Sequence, residues 1–205
     1  MGLHENANIT QAINEANSIF ANVLILTSGS QDAGDAGSSE TELAMKITND
    51  ILGQIREPFK IKEIEKKFPF KYEESMNSVL LQELARFNSL IETIKDSLST
   101  LQKTLQGKLV TNSEVEVLQQ SIVNNSIPER WRGRSYPSRK PLISYIADLK
   151  KRLEMLETWI AKGQPNVFWI SGFFFTHSFL TGVKQNFARK HQYPIDRVGF
   201  AYTVL

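Results

Sequence analysis

The sequence predicts a mainly α fold: one helical bundle joined by a long helix to a second helical bundle, with at most a short terminal strand. Three observations carry this. Apolar residues recur at spacings of three and four over most of the chain, the period of an α-helix. The stretch from Glu73 to Gln106 holds no glycine or proline. Where glycines and prolines do occur they cluster between the periodic stretches, as helix stops do.

The elements follow in chain order. Residues 10–26 read as a helix that Thr10 caps, with Ile13, Ala16, Phe20, Val23 and Leu24 on one face. Residues 27–40, rich in Gly, Ser, Ala and Asp, read as a flexible surface loop. Leu43, Ile47, Ile51 and Ile55 step every four residues and predict a helix over 41–55, closed by Pro58. A short helix over 60–68 is expected to bury Ile61, Ile64 and Phe68.

The long helix comes next. Leu84, Phe87, Ile91, Ile94, Leu98, Leu101 and Leu105 alternate spacings of three and four, a heptad-like seam, and Gly107 ends the run. At 1.5 Å rise per residue, about 34 residues span roughly 50 Å. A helix of that length is expected to join two packed regions. Its first half is assigned to the 10–68 helices and its second half to the 113–161 helices.

Ser113-Glu114-Val115-Glu116 has the form of a capping box and opens a helix to about Val123. The stretch "IPERWRGRSYPSRKP" reads as irregular, and Pro141 suits the first position of the following helix. That helix carries Leu142, Tyr145, Ile146, Leu149, Leu153, Leu156, Trp159 and Ile160 on one face and stops at Gly163 and Pro165.

"VFWISGFFFTHSFLTGV", residues 167–183, holds five phenylalanines and a tryptophan. A membrane helix needs about 20 mostly apolar residues, and seven Ser, Gly, Thr and His residues interrupt this one. It parses as a short buried segment to Phe175, then a helix from Thr176, its cap, to His191. Phe179, Leu180, Val183 and Phe187 are assigned inward, and Trp159, Phe168 and Trp169 to the core. Arg189, Lys190 and His191 suit the negative end of the helix dipole. Val198 to Val204 reads as a strand.

Composition excludes several chemistries. There is no cysteine, so disulfide and thiolate chemistry are absent. His4, His177 and His191 are far apart in sequence, a poor zinc pattern. No stretch matches the phosphate-binding G-x-x-x-x-G-K-[ST]. A nucleophile elbow at Ser171-Gly172 would need glycine where Trp169 stands. No residue is therefore assigned as catalytic, cofactor-binding or metal-binding. The N-terminus has no signal-peptide pattern, and the Asn8 and Asn124 glycosylation triplets read as chance. Both ends have the look of cuts from a longer protein.

Charge is unevenly spread: residues 1–125 carry a net −6 and residues 126–205 a net +8. An alternative reading is an independent anion- or RNA-binding helical module using Arg130, Arg132, Arg134, Arg139 and Lys140. Against it, those cations have carboxylates to pair with in the acidic half.

Longer segments resemble one family. "FWISGFFFTHSFLTGVKQNFARKHQYPID" (168–196), "PERWRGRSYPSRKPLISYIADLKKRLEMLETWI" and "YEESMNSVLLQELARFNSLI" are similar to parts of the C-terminal region of axonemal dynein heavy chains, in collinear order. "GLHENANIT" resembles the passage between the large and small subdomains of that family's sixth AAA+ module. The resemblance implies an AAA+ lid-like bundle over residues 1–72, a connecting helix over 73–107, and the start of the helical C-terminal domain over 108–205. It implies a non-catalytic structural or coupling segment of an ATP-driven, minus-end-directed microtubule motor of cilia and flagella. ATP and magnesium would then bind other modules. The partners would be the rest of the motor ring and, through other regions, intermediate and light chains and microtubules, with no nucleic acid or membrane. The location implied is the cytoplasmic cytoskeleton, in the axoneme.

Overall fold

The computed structural model describes Ile13, Ala16, residues 36–201 and Thr203. It is mainly helical, with seven α-helices and no strand among the described residues. They are α1 (Ala36–Gln54), α2 (Ile61–Lys67), α3 (Ser75–Leu105), α4 (Ser113–Val123), α5 (Glu129–Arg132), α6 (Leu142–Lys162) and α7 (Thr176–His191). Short 3-10 turns occupy Ile170–Gly172 and Ile195–Arg197.

The expected 10–26 helix lies outside the described residues, apart from Ile13 and Ala16, which are helical and exposed. So does the expected loop up to residue 35. Residues 36–40 are not loop but the first turn of α1. Alanine and glutamate are good helix formers, and a composition rich in Ser and Gly hid them. The expected strand is absent at 198–201 and at Thr203, where none of the described residues supplies a ladder for it.

The chain forms two compact units, each discontinuous in sequence. The first draws its described residues from 36–56, Thr93–Gly133 and Pro137–Asp148. The second draws them from Glu57–Glu92, Arg134–Tyr136 and the region from Leu149 onward. The long helix is thus divided at Glu92–Thr93, and the expected grouping holds in part: α2 goes with its first half and α4 and α5 with its second, whereas α1 and the greater part of α6 are exchanged. Its second half belongs with α1, α4 and α5, and Gln102 donates to Asn49 of α1 at 2.9 Å. Its first half belongs with α2, the last two-thirds of α6 and α7. Periodicity identifies an apolar face but not what covers it.

α3 is 31 residues long, about 46 Å at 1.5 Å per residue. Leu84 to Leu101 of the expected seam are all buried, while Leu105 is half-buried. Met76, Val79, Leu80, Leu81 and Leu90 are buried too, so the covered face is wider than a two-column seam. Gly107 ends the helix with φ at 71°. Lys108 N–H bonds to Lys103 C=O, and Gly107 N–H to Thr104 C=O. This is the paired closure that a left-handed residue permits.

Polar residues on that buried face hold other elements. In the second unit, Asn88 accepts the Phe59 N–H at 2.7 Å and donates to the Phe59 carbonyl at 2.8 Å. This docks the approach to α2 with Phe59 buried, whereas Ile61, Ile64 and Phe68 are only half-buried. In the first unit, Ser97 accepts the indole N–H of the fully buried Trp131 at 2.8 Å. That anchor turns part of the expected irregular stretch into the single turn α5.

Two caps differ from expectation. The cap of α4 is Asn112, whose side chain accepts the Val115 N–H at 2.9 Å, so the helix is capped one residue before the expected box. Pro141 lies just outside α6, with its carbonyl accepting the Tyr145 N–H at 2.8 Å.

Candidate functional site

The described part of the second unit contains a buried carboxyl cluster, built around Glu83. The residue sits on the apolar face in the first third of α3, three after Leu80 and four before Phe87, and its side chain is fully buried. Burying a carboxylate is costly unless its lone pairs are used. Here they are. The carboxylate accepts the backbone N–H groups of Phe174 and, at 2.9 Å, Phe175, just before α7 begins. Arg86, one turn along α3, approaches the same carboxylate at 3.4 Å and lies 5.0 Å from the Phe175 ring centre. Burial pushes the Glu83 carboxyl above its ordinary value of 4.5, and the two amides and Arg86 offset part of that rise.

This explains how α7 starts. Thr176 was the expected cap, yet Phe175 holds the cap position with no side-chain hydrogen bond. The Glu83 carboxylate supplies the negative charge instead, at the end where free N–H groups and the helix dipole favour an anion.

A second charged side chain grips the same link from α6. Arg152 donates to the Ser171 carbonyl at 2.6 Å, and its guanidinium lies 3.8 Å from the Tyr136 ring centre and 5.3 Å from that of Trp169. An acid and a base, which need not pair with each other, thus hold three backbone groups of residues 171–175. Ser171, considered as a nucleophile and rejected in the sequence, meets Arg152 through its carbonyl. His177, the nearest histidine in sequence, is exposed beside Phe175.

Aromatic packing completes the site. Phe173 stacks on Phe179 at 4.3 Å, and both meet Phe168, which lies edge-on to Trp159. Phe174 meets Phe87 and Tyr136 edge-on at 5.4 and 5.9 Å. Trp159 is buried as expected, and Phe168 is half-buried. Trp169 is 40% exposed and is not core. The tight turn at Gly172 brings its ring alongside the link, where a Cβ on Gly172 would stand 2.7 Å from it.

The inward face of α7 is also not the one expected. Phe179 is buried, but Leu180 and Val183 are half-buried and Phe187 is 47% exposed. Gly182 and Ala188 face inward instead. A Cβ on Gly182 would lie 2.8 Å from Val79 Cγ2, so the small residue lets α7 approach α3 closely. Size, rather than hydrophobicity, decided the face.

Four of the five basic residues have partners within their own unit. In the first unit, Arg130 pairs with Asp96 at 2.8 Å, Arg132 reaches Glu129 at 3.9 Å, and Lys140 meets Asp148 at 2.5 Å. In the second, Arg134 donates to Ser89. The nucleic-acid reading is not favoured.

The family model for the C-terminal domain of the dynein heavy chain matches residues 13–205. The protein belongs to that family. Among curated dynein heavy chains, it is 47% identical over 204 residues to dynein axonemal heavy chain 12 of Mus musculus, a match to all of the present sequence and 7% of the relative. It is 48% identical over 204 residues to dynein axonemal heavy chain 1 of Mus musculus, a match to 100% of the present sequence and 5% of the relative. With dynein axonemal heavy chain 3 of Homo sapiens it shares 46% identity over 203 residues, 99% of the present sequence and 5% of the relative. The dynein segment thus spans well under a tenth of the length of these relatives.

Sequence reasoning on this dynein segment missed Glu83 and Arg152. The signal was present: each is a charged residue inside an apolar helical face, where a partner is required.

Proposed function

We propose that this protein is a non-catalytic structural segment of an axonemal dynein heavy chain, coupling the ATP-driven motor to its C-terminal region in ciliary or flagellar movement. The observation that carries the reading is identity of 45–48% with three kinds of axonemal heavy chain along essentially the whole segment. The absence of a phosphate-binding loop motif in the sequence supports the non-catalytic part.

On this reading ATP and magnesium act in other modules of the heavy chain, and microtubules and the intermediate and light chains meet other regions. The segment's partner is the rest of the motor, and its location is the axoneme. Coupling requires contacts that differ in free energy between motor states. Side chains that hold backbone across long sequence separations, as Glu83 and Arg152 do, are suited to that.

The test is a tagged heavy chain with the substitution Glu83→Gln. Expected are axonemal localisation, retained basal ATP hydrolysis and altered microtubule gliding velocity. Wild-type gliding under load would refute the coupling role. Titration calorimetry of the 205-residue protein with magnesium-ATP addresses catalysis, and a micromolar site would overturn the non-catalytic reading.

A further inference from the structure

The link between α6 and α7 is held by two charged side chains at its backbone and by the packing of Phe168, Phe173 and Phe174, while much of it is exposed. Val167, Trp169, Ile170 and Phe175 are exposed, and only Gly172 and Phe173 between Gly163 and Phe175 are buried. Apart from the Ile170–Gly172 turn the link has no regular structure, and α7 has no side-chain cap of its own. Against this light burial stand Glu83 on the Phe174 and Phe175 amides and Arg152 on the Ser171 carbonyl. Segments with few buried apolar contacts open locally at low cost, without global unfolding.

We propose that Glu83 and Arg152 form a releasable clasp on residues 171–175, whose opening frees the link while α3 and α6 stay folded. Both charges grip backbone, and Arg152 also lies 5.3 Å from the ring centre of the exposed Trp169. The clasp's use in a motor rests on the coupling role proposed above; its existence does not.

Hydrogen exchange on the heavy chain that contains this segment tests the clasp. Glu83→Gln should speed exchange at residues 171–178 about tenfold or more, the loss expected for hydrogen bonds to a buried charge. Exchange in α4 and in the middle of α6 should stay as in wild type. No change at 171–178, or equal loss throughout α3 and α6, overturns the proposal. If Glu83→Gln does not fold, Arg152→Met decides. It removes the donor to the Ser171 carbonyl and should speed exchange at residues 172–175 while α4 stays as in wild type. Unchanged exchange at 172–175 overturns the clasp. Gliding measured on the same variant separates the two readings. Lost protection with unchanged gliding upholds the clasp and removes its coupling role, whereas unchanged protection refutes the clasp whatever gliding shows.

Discussion

Asn125 does two jobs within the first unit. Its φ of 52° ends α4, with Ser126 N–H on Ser121 C=O and Asn125 N–H on Ile122 C=O. Its own carbonyl and side-chain oxygen then accept the Leu142 and Ile143 N–H groups that open α6. Asn125→Gly keeps the left-handed backbone but loses the hydrogen bond from the Ile143 N–H, an expected cost of about 1 kcal/mol. Asn125→Ala adds the left-handed penalty of roughly 1–2 kcal/mol and should be clearly worse. Urea midpoints at constant slope measure both, and equal midpoints would show that the backbone angle carries no cost. The tryptophans give a second contrast. Trp159, 1% exposed and edge-on to Phe168 and Phe173, should lose about 3–5 kcal/mol as alanine. Trp169→Ala, at a 40% exposed site, should cost well under half of that.

At the scale of elements, the close approach of α7 to α3 turns on Gly182. In an isolated helix Gly→Ala stabilises by about 1 kcal/mol. Here the new methyl would press on Val79 Cγ2, on a stiff β-branched side chain, and on Met76 Sδ at 3.3 Å. Overpacking of this kind costs about 1–3 kcal/mol, so Gly182→Ala should be destabilising. In a Val79→Ala background the obstructing methyl is gone, and the same change should become stabilising. The reversal of sign in a double-mutant cycle is the measurement. Purely additive effects would mean that the two helices do not meet at this point.

Across the whole molecule, each unit is assembled from separate stretches, and α3 and α6 each supply a part to both. Ending the protein at Asp148 removes Trp159, Phe173 and Phe179 from the second unit but leaves the described segments of the first intact. Hydrogen exchange should then show protection kept in α4 and at residues 93–105, and lost at 75–92. Trp131 is the one tryptophan left in such a truncation. Its buried, hydrogen-bonded indole should keep the short-wavelength emission of an apolar site. Emission at the wavelength of the urea-unfolded protein would show that the first unit cannot fold without the second.

Helices were legible because their signals are local. The glycine- and proline-free run gave α3 to within two residues of each end, and Gly107 marked its stop. The long collinear resemblance carries the family in the sequence alone. What the linear pattern could not supply was which surfaces meet. Periodicity rotated α7 toward Phe187, yet the structure turns it to Gly182 because two helix backbones can approach only where a side chain is absent. The cap of α7 comes from Glu83, about ninety residues earlier, and no local motif records a partner so distant. The sequence by itself determined the longer helices, most of their breaks and the dynein family, but not α5 or the first turn of α1. Tertiary structure alone decided the grouping of α3's halves and the hold on residues 171–175, because both depend on contacts between residues remote in sequence.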